Sequence, residues 1–450
     1  MTAGAKVSEV LIEGVWRPAV SGAELVVHNP ATLKPVAAAP FCDAQDVVLS
    51  MAAARRALES WRACPSEVRA ALLVEIGREL SACAPAIAEL QALESGQTYR
   101  ECLAGVLAAA NCFTQLSDQD PNAARDARPL RDTAAGARPL VLRQDYPLLH
   151  WARSAVSLLA EGSTLVCVAP RSAPLAVLRA ARCASGLPLG VLNMLVASRD
   201  AVTAALGDGL LREPGTSAAT EGAHNGNNVV FVGNTVELEL TLAGTASLRL
   251  FDSGQRAGQS ARIYVEQQMS HELADELHEY LAYLECGDPG KPATDLGPLR
   301  SSAALQRVED QVIRALKRGA LLKVGGRRYQ PWGLRGYFFQ PTLMIEGRGE
   351  ERAPDEEIRG PVVIISPVRN LAAALRQQQA SRVAFFGHDL DAQLRSLTAA
   401  GIDFEVANLT APLEGIMQSF GSAPRGPVRI EPVTAVQCSW FPYRARAAPT

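Results

Sequence analysis

A large excess of charge of one sign is missing from this 450-residue chain. The 44 lysines and arginines nearly balance the 47 aspartates and glutamates, for a formal net charge of −3. This balance gives no reason to expect nucleic acid or an anionic membrane as a partner. Long apolar runs are missing as well, because the stretch 152–160 is interrupted by Arg153 and is too short to span a bilayer. The opening MTAGAKVSEVLIEG has no apolar signal-peptide segment.

Clustered metal ligands are also absent from the sequence. Nine cysteines and six histidines are scattered without the short spacings of metal sites. His271 and His278 lie seven residues apart on a predicted helix, where a solvated helix face is the better interpretation. We therefore expect no metal site. An odd, unclustered set of cysteines without an export signal predicts free thiols in a cytoplasmic protein.

The remaining composition, 48% hydrophobic and 20% charged, is that of a globular chain long enough for two or three domains. Strand and helix patterns alternate, which predicts an α/β fold with a parallel sheet covered on both faces. Asp43 is a predicted N-cap for the first helix, which reaches Trp61. The other elements predicted in this half are helices at 66–83, 85–96, 100–116, 147–160 and 174–185, and strands at 164–168, 191–196 and 228–232.

Three further regions have a distinct character. The first 40 residues predict a β-hairpin that ends at the turn 29–32. Residues 117–138 are polar and predict an exposed loop or a projecting arm. The second half repeats the α/β alternation, and the run Val433–Trp440 is a predicted strand outside that rhythm.

Seven short motifs occur in an order and at distances that resemble the aldehyde dehydrogenase superfamily. They are HNPATLKPVAAAP, LLAEGSTLVCVAP, GLPLGVLNMLVAS, VVFVGN, GDPGKPATDLGPL, GYFFQPTLM and EEIRGPVV. The resemblance implies a Rossmann-like cofactor domain, an α/β catalytic-type domain and an oligomerisation arm. The boundaries we expect are 1–125 and 144–235 for the cofactor domain, 236–425 for the catalytic-type domain, and 126–143 with 426–450 for the arm.

In that family a cysteine thiolate attacks the aldehyde, hydride passes to NAD(P), and water hydrolyses the thioester. By the resemblance, the nucleophile position follows the stretch Gly254-Gln255 and holds Ala257, which cannot attack a carbonyl. The loosely matched general-base position holds Thr241, and the amide that steadies the oxyanion is replaced by Asp145. Glu237 and Glu239 are open alternatives for the base.

The resemblance also locates the cofactor positions. Val168 and Arg171 stand where the family holds the adenosine ribose, and Arg171 could contact a 2′-phosphate or could be a solvated surface arginine. Glu357 matches the glutamate at the nicotinamide ribose, and Gly233 keeps part of the pyrophosphate-side turn. Arg359 would place a cation near the oxidised nicotinamide. We therefore expect no cofactor, or weakened NAD(P) binding.

The leading hypothesis at this point is a catalytically inactive subunit. It would form a homo-oligomer, or a hetero-oligomer with an active aldehyde dehydrogenase, through its arm. One alternative is a divergent NAD(P)-dependent oxidoreductase that uses Cys167, Cys183 or non-covalent chemistry. Another is a binding module in which Arg171, Arg256 and Arg359 converge on an anionic metabolite or nucleotide.

Overall fold

The computed structural model describes residues 9–115, 136–207, 228–232, 242, 249–256, 262–346, 358–369, 382–386 and 405–407. The chain divides into two compact units, residues 1–218 and 219–450. Helices and strands alternate in both, as the α/β prediction requires. In the part of the chain that is described, no helix is long and apolar enough to cross a membrane.

The first unit is built on a five-stranded sheet in the order β2-β1-β7-β6-β5. Its strands are β1 (Val10–Ile12), β2 (Val15–Arg17), β5 (Ala137–Val141), β6 (Thr164–Ala169) and β7 (Leu192–Val196). The strands β5, β6 and β7 are parallel, whereas β1 runs antiparallel to both β2 and β7. Every residue of β6 and β7 is buried, as expected for central strands of a parallel sheet.

Six helices lie in the described residues of this unit: α1 (Ala44–Ala63), α2 (Ser66–Ser95), α3 (Tyr99–Thr114), α4 (Pro147–Ala160), α5 (Pro174–Ala181) and α6 (Arg199–Leu206). Asp43 caps α1 as predicted, and its carboxylate accepts from the backbone of Gln45 and Asp46. The predicted helices 66–83 and 85–96 form one helix, since α2 continues through Pro85. A short 3-10 helix, Arg182–Ala184, follows α5.

Two parts of the first unit differ from the predicted layout. The amino-terminal strands make two hairpins: β1 pairs with β2, and β3 (Glu24–His28) pairs with β4 (Pro35–Pro40). Strand β5 falls in the stretch assigned to the arm, yet it hydrogen-bonds in parallel to β6 along its whole length. Its backbone groups are thus used inside this sheet.

The second unit is built on a seven-stranded sheet in the order β10-β13-β14-β9-β8-β15-β16. The strands are β8 (Asn228–Val232), β9 (Arg262–Glu266), β10 (Leu321–Val324), β13 (Thr342–Ile345), β14 (Val362–Val368), β15 (Arg382–Phe386) and β16 (Glu405–Ala407). All neighbours are parallel except β10 and β13. Two helices, α7 (Ser270–Tyr283) and α8 (Ser302–Lys317), pack their apolar residues on this sheet.

Strand β8 is the clearest difference from the predicted domain layout, which placed residues 144–235 together. It lies between β9 and β15 in the second sheet. An apolar run such as Val229–Val232 is typical of a parallel strand in either sheet, so the pattern identifies the strand without identifying its neighbours.

A small surface sheet completes the second unit. Strand β11 (Arg328–Tyr329) pairs with β12 (Phe338–Phe339). Trp332, in the connection between them, is fully exposed.

Candidate functional site

The loop Phe251–Arg256 leads to the predicted nucleophile position, and its backbone is unusual. Asp252, Ser253 and Gly254 are consecutive residues with φ of 54°, 52° and 71°. Left-handed conformations cost non-glycine residues roughly 1–2 kcal/mol each. Such a turn persists only where surrounding contacts hold it.

A buried arginine supplies one of those contacts and extends it to a second segment. Arg249 is 1% exposed, and its guanidinium donates to the backbone carbonyls of Gly254 at 3.0 Å and Gly360 at 2.7 Å. It also donates to the carbonyls of Val362 and Ile358. One side chain therefore joins the Phe251–Arg256 loop to the segment 358–362, which carries the EEIRGPVV motif.

Two features require a glycine at position 254: its positive φ and the close approach of another backbone segment. A Cβ added there would lie 2.1 Å from the carbonyl oxygen of Gly360. The two backbone segments thus touch at a point where only a residue without a side chain fits.

Polar side chains fix the rest of the loop. Asp252 forms an ion pair with Arg300, which lies just before α8. Gln255 accepts from the backbone N–H of Arg300 at 2.8 Å and donates to the Asp252 carbonyl at 3.1 Å. Ser253 donates to the carbonyl of Gly297 at 2.8 Å. The loop is therefore held rigidly from three directions before the chain reaches position 257.

The residues predicted for the chemistry itself fall mainly outside the described part. Ala257, Thr241, Gly233 and Glu357 all lie outside the described residues, so their roles stay predictions. Strand β8, which precedes Gly233, belongs to the second sheet rather than to the predicted cofactor domain.

Asp145 is described, and it is half-buried in the first unit between β5 and α4. The next residue, Tyr146, is the N-cap of α4 with a φ of 54°. Asp145 takes part in an interaction within the structure and is not a free carboxylate. It lies directly before the Tyr146-Pro147 pair that opens α4, and its role at the oxyanion position stays a prediction.

The cofactor positions of the first unit lie at the carboxyl end of β6. Val168 is buried in that strand, where it pairs with Val141 and Leu195. Arg171 is exposed in the turn that follows, with its guanidinium carbon 5.0 Å from the centroid of the Phe41 ring. Stacking holds the guanidinium in place and leaves its N–H groups at the ring's edge for an anion.

The amino terminus of α5 is occupied by a protein side chain. Glu94, near the end of α2, accepts from the backbone N–H of Leu175 at 2.7 Å and of Ala176 at 2.8 Å. The carboxyl is fully buried, and burial raises its pKa to about 8. These two donors of α5 are therefore already used, and an anionic ligand at this edge must bind through other groups, such as Arg171.

The alternative nucleophiles do not have the properties of reactive thiols. Cys167 is fully buried in β6, and burial raises the pKa of its thiol. Burial also raises the pKa of Cys183, with a smaller effect from the neighbouring Cys83. Neither environment favours a thiolate near neutral pH.

The three arginines of the proposed anion cleft are distributed over both units. Arg171 lies in the first unit, whereas Arg256 and Arg359 lie in the second. Arg256 is buried with its guanidinium carbon 5.6 Å from the centroid of Phe251, and Arg359 is exposed. Their convergence stays a prediction. Among the described residues, no three His, Cys, Asp or Glu side chains are grouped as metal ligands.

Arg249 and Glu94 were missed as site residues, although each leaves a signal in the sequence. Arg249 is a charge between Leu248 and Leu250, next to an apolar segment. Glu94 is an acidic residue in the last turn of its helix, where the helix dipole disfavours it. Both signals indicate a charge with a distant partner, but neither tells which partner.

Known proteins resemble the chain over most of its length. Succinate-semialdehyde dehydrogenase [NADP(+)] GabD of Escherichia coli is 25% identical, with 91% of this chain and 93% of that protein covered. Lactaldehyde dehydrogenase of Escherichia coli is 26% identical, with 80% of each covered. An NAD+ complex of an aldehyde dehydrogenase from Bacillus cereus superposes with a TM-score of 0.78 at 20% identity, covering 90% of this chain and 89% of that one.

These similarities correct two predictions. The prediction of a catalytically inactive subunit is wrong: relatives that match 80% and 91% of this chain are named as dehydrogenases, and nothing in the comparison indicates a loss of activity. The expectation of no cofactor is wrong for the same reason, since the relative GabD carries NADP(+) in its name and a structural neighbour of the same fold is solved as an NAD+ complex. Both predictions inferred a lost function from single substituted positions, whereas a substitution shows only that the usual group is missing.

The family model gives the broadest match. The model of the aldehyde dehydrogenase family matches residues 16–220 and 216–388, most of both units. The expected superfamily and fold class are confirmed. The chain belongs to the aldehyde dehydrogenase family.

Proposed function

We propose that this protein is a divergent NADP-dependent aldehyde oxidoreductase. The observation that carries the proposal is the family match across both units, together with relatives whose names specify aldehyde oxidation. The retained Phe251–Arg256 loop supports it, because buried charges and left-handed residues hold that loop in one conformation. A rigid turn of this kind is typical of functional sites.

The exposed guanidinium of Arg171 supports NADP as the dinucleotide. A guanidinium binds the 2′-phosphate well, and no carboxylate occupies the matched ribose position to repel it. Glu94 fits the same assignment, because it uses the α5 donors and leaves Arg171 as the anion-binding group of that turn. When bound, the cofactor supplies an acceptor for hydride.

Position 257 limits the chemistry by which the aldehyde reacts. A methyl group forms no thiohemiacetal, so we propose that the substrate is not attached to the protein there. The aldehyde hydrate already carries two oxygens on its carbon, and it becomes the carboxylic acid by losing one hydride and one proton. This reaction needs a proton acceptor in place of a nucleophile.

We propose Asp145 for that proton. A carboxylate at the place of the family's amide would repel an oxyanion by roughly 4 kcal/mol at ~4 Å and an effective dielectric near 20. The same carboxylate can accept a hydrogen bond, and then the proton, from a hydroxyl of the hydrate. An aspartate in place of the family's amide therefore impairs the covalent thiohemiacetal mechanism but suits direct oxidation of the aldehyde hydrate.

Steady-state kinetics of NADPH formation with a panel of aldehydes tests the proposal. We expect turnover that persists after alkylation of the exposed thiols, and Asp145→Asn should lower kcat about 100-fold or more. Under covalent chemistry the same variant would restore an amide and raise the rate. No turnover with any aldehyde by NADP or NAD would refute the proposed function.

Cofactor preference is tested separately. Arg171→Ala should raise the KM for NADP about tenfold or more while changing the KM for NAD little. Arg199→Ala removes an exposed arginine at the start of α6 and serves as the matched control. Equal effects of both variants on NADP would contradict the role of Arg171.

We also propose that the protein is oligomeric and cytoplasmic. The eight cysteines in the described part are free thiols, which suits a reducing compartment. The carboxyl-terminal arm, residues 426–450, lies outside the described residues. Light scattering of the purified chain tests the assembly, and a monomer at micromolar concentration would contradict it.

A further inference from the structure

An arginine lies near each end of helix α5, and each of the two stacks on an aromatic ring. Before the helix, the guanidinium carbon of Arg171 lies 5.0 Å from the centroid of the Phe41 ring. Just past the helix, the guanidinium carbon of Arg182 lies 4.1 Å from the centroid of the Trp16 ring. Both aromatic residues are half-buried. Because a guanidinium is attracted to the face of a ring, each aromatic side chain restricts where its arginine can lie.

The two arginines differ in what else they contact. The guanidinium of Arg182 also pairs with the carboxylate of Glu9 at 3.0 Å, so its charge is balanced within the protein. Arg171 is exposed, and none of the carboxylates in the described part of the chain forms an ion pair with it. The stack on Phe41 therefore holds a cation whose charge is open to a ligand.

Backbone hydrogen bonds fix the position of Phe41 from both sides. Its own N–H donates to the carbonyl of Ala23 at 2.8 Å, and the N–H of Cys42 donates to the carbonyl of Val196 at 2.7 Å. Cys42 also forms a parallel bridge with Ala197, directly after β7. Phe41 therefore lies at the carboxyl end of β7, on a backbone that is attached to that strand.

Arg171 reaches the same edge of the sheet from β6. Ala169, the last residue of β6, pairs with Val196, the last residue of β7, so the two strands end side by side. The turn that follows β6 is closed by a hydrogen bond from the N–H of Ala173 to the carbonyl of Pro170 at 3.2 Å. In open α/β sheets, ligands bind outside the carboxyl ends of the strands. The stacked arginine thus lies at the edge where a dinucleotide is expected.

We propose that Phe41 is a positioning residue that determines the preference for NADP over NAD, because its ring holds the Arg171 guanidinium where that group meets the 2′-phosphate. The inference rests on the proposed function, in which Arg171 makes this contact. A stacked guanidinium directs its N–H groups outward at the edge of the ring, which suits bidentate binding of phosphate oxygens. An unstacked arginine would lose more rotamer freedom when the phosphate binds, so the ring makes the contact more favourable. NAD has no 2′-phosphate, and its binding should not depend on the ring.

Titration calorimetry of the full chain with NADP and with NAD tests the role of Phe41. Phe41→Leu keeps an apolar side chain but removes the ring. We expect its Kd for NADP to rise about two- to fivefold, whereas its Kd for NAD should stay unchanged. Phe41→Tyr keeps the ring and should bind NADP like the wild type. Trp16→Leu is the matched control, because it removes the ring beneath an arginine that is already paired with Glu9, and both Kd values should stay unchanged.

A double variant tests whether the ring acts through the arginine. Phe41→Leu should have no further effect on the Kd for NADP when Arg171→Ala is already present, since the ring then has no guanidinium to hold. Phe41→Met is a second variant without a ring, so that a folding defect in one of the two does not decide the outcome.

The possible results separate this inference from the proposed function. An unchanged Kd for NADP in both ringless variants, an equal loss of affinity for NAD, or an additive loss in the double variant would overturn the role of Phe41. If Arg171→Ala weakens NADP binding and the ringless variants do not, this inference fails and the proposed cofactor contact stands. If the wild type binds neither dinucleotide, the proposed function fails and this inference fails with it.

Discussion

Two turns, one in each unit, are held by a buried ionisable side chain, a carboxyl in the first unit and a guanidinium in the second. In the first unit, the Glu94 carboxyl accepts from two backbone N–H groups at the start of α5. In the second, the Arg249 guanidinium donates to four backbone carbonyls around the Phe251–Arg256 loop. Each satisfies main-chain groups that a tight turn leaves without partners.

The difference between the two lies in how each charge responds to protons. Burial raises the pKa of Glu94 to about 8, so its charge changes within the physiological range. A guanidinium stays protonated at any pH that a protein tolerates. The turn at the proposed cofactor edge is therefore pH-sensitive, whereas the turn before position 257 is fixed.

The largest effect is expected from removing the arginine. Arg249→Met leaves several buried carbonyls without donors, and we expect a loss of about 3–5 kcal/mol of unfolding free energy in urea titrations. Arg249→Lys keeps the charge but cannot span four carbonyls, so its loss should be intermediate. Equal stability of Arg249→Met and the wild type would contradict the role given to this residue.

The close approach of the two backbone segments can be tested next. Gly254→Ala places a Cβ 2.1 Å from the Gly360 oxygen, and we expect a loss of about 2–4 kcal/mol. Gly22→Ala is the matched control, because Gly22 has a φ of 69° but nothing within 4 Å of an added Cβ. The control should lose only about 1 kcal/mol. Similar losses of unfolding free energy in both variants would show that the positive φ, and not the contact with Gly360, determines the cost of the added methyl group.

Removing the carboxyl of Glu94 should have a smaller effect. Glu94→Leu leaves two backbone N–H groups of α5 without an acceptor and should lower the unfolding free energy by about 2 kcal/mol near pH 7. Glu94→Gln retains an acceptor and should lose about half as much. Hydrogen exchange of the Leu175 and Ala176 amides should accelerate in Glu94→Leu, and unchanged exchange would contradict the cap.

The smallest effect for a single pH unit is the pH dependence that separates the two turns. The folded-state pKa of Glu94 lies above the value of about 4.3 for a free glutamate, so the folded protein binds this proton more tightly. Its stabilising contribution is complete below about pH 4 and is lost as the pH rises to about 8, at up to ~1.4 kcal/mol per pH unit. Urea titrations of wild type and Glu94→Gln across this range should diverge accordingly, and parallel curves would refute the raised pKa.

Much of the local structure could be predicted from the sequence. The capping side chain of Asp43 marks the start of α1, Pro147 opens α4, and the apolar run from Thr164 gives β6. These signals are local, because each depends on residues within one turn or one strand. Pro85 led to the wrong prediction of two separate helices for the same reason, because it is a local signal. A proline removes one hydrogen bond of a helix, and the packing of α2 compensates for that loss.

Sheet membership and the site's supports could not be predicted in this way. The sequence of β8 identifies a buried strand, but its position between β9 and β15 depends on contacts with residues more than a hundred positions away. The same holds for Arg249, whose acceptors lie between 109 and 113 residues downstream apart from Gly254. The activity was misjudged because three substituted positions were taken to decide whether the protein works, when they indicate only how.

The exposed indole of Trp332 provides an optical probe for the second unit. Trp61 and Trp151 are buried in the first unit and should emit at shorter wavelength, shielded from iodide, whereas the emission of Trp332 should be red-shifted and readily quenched. A subunit or ligand that covers the β11–β12 surface would shift that component to the blue. In a chain with Trp16→Phe and Trp440→Phe, fluorescence can thus report whether this face is covered in solution.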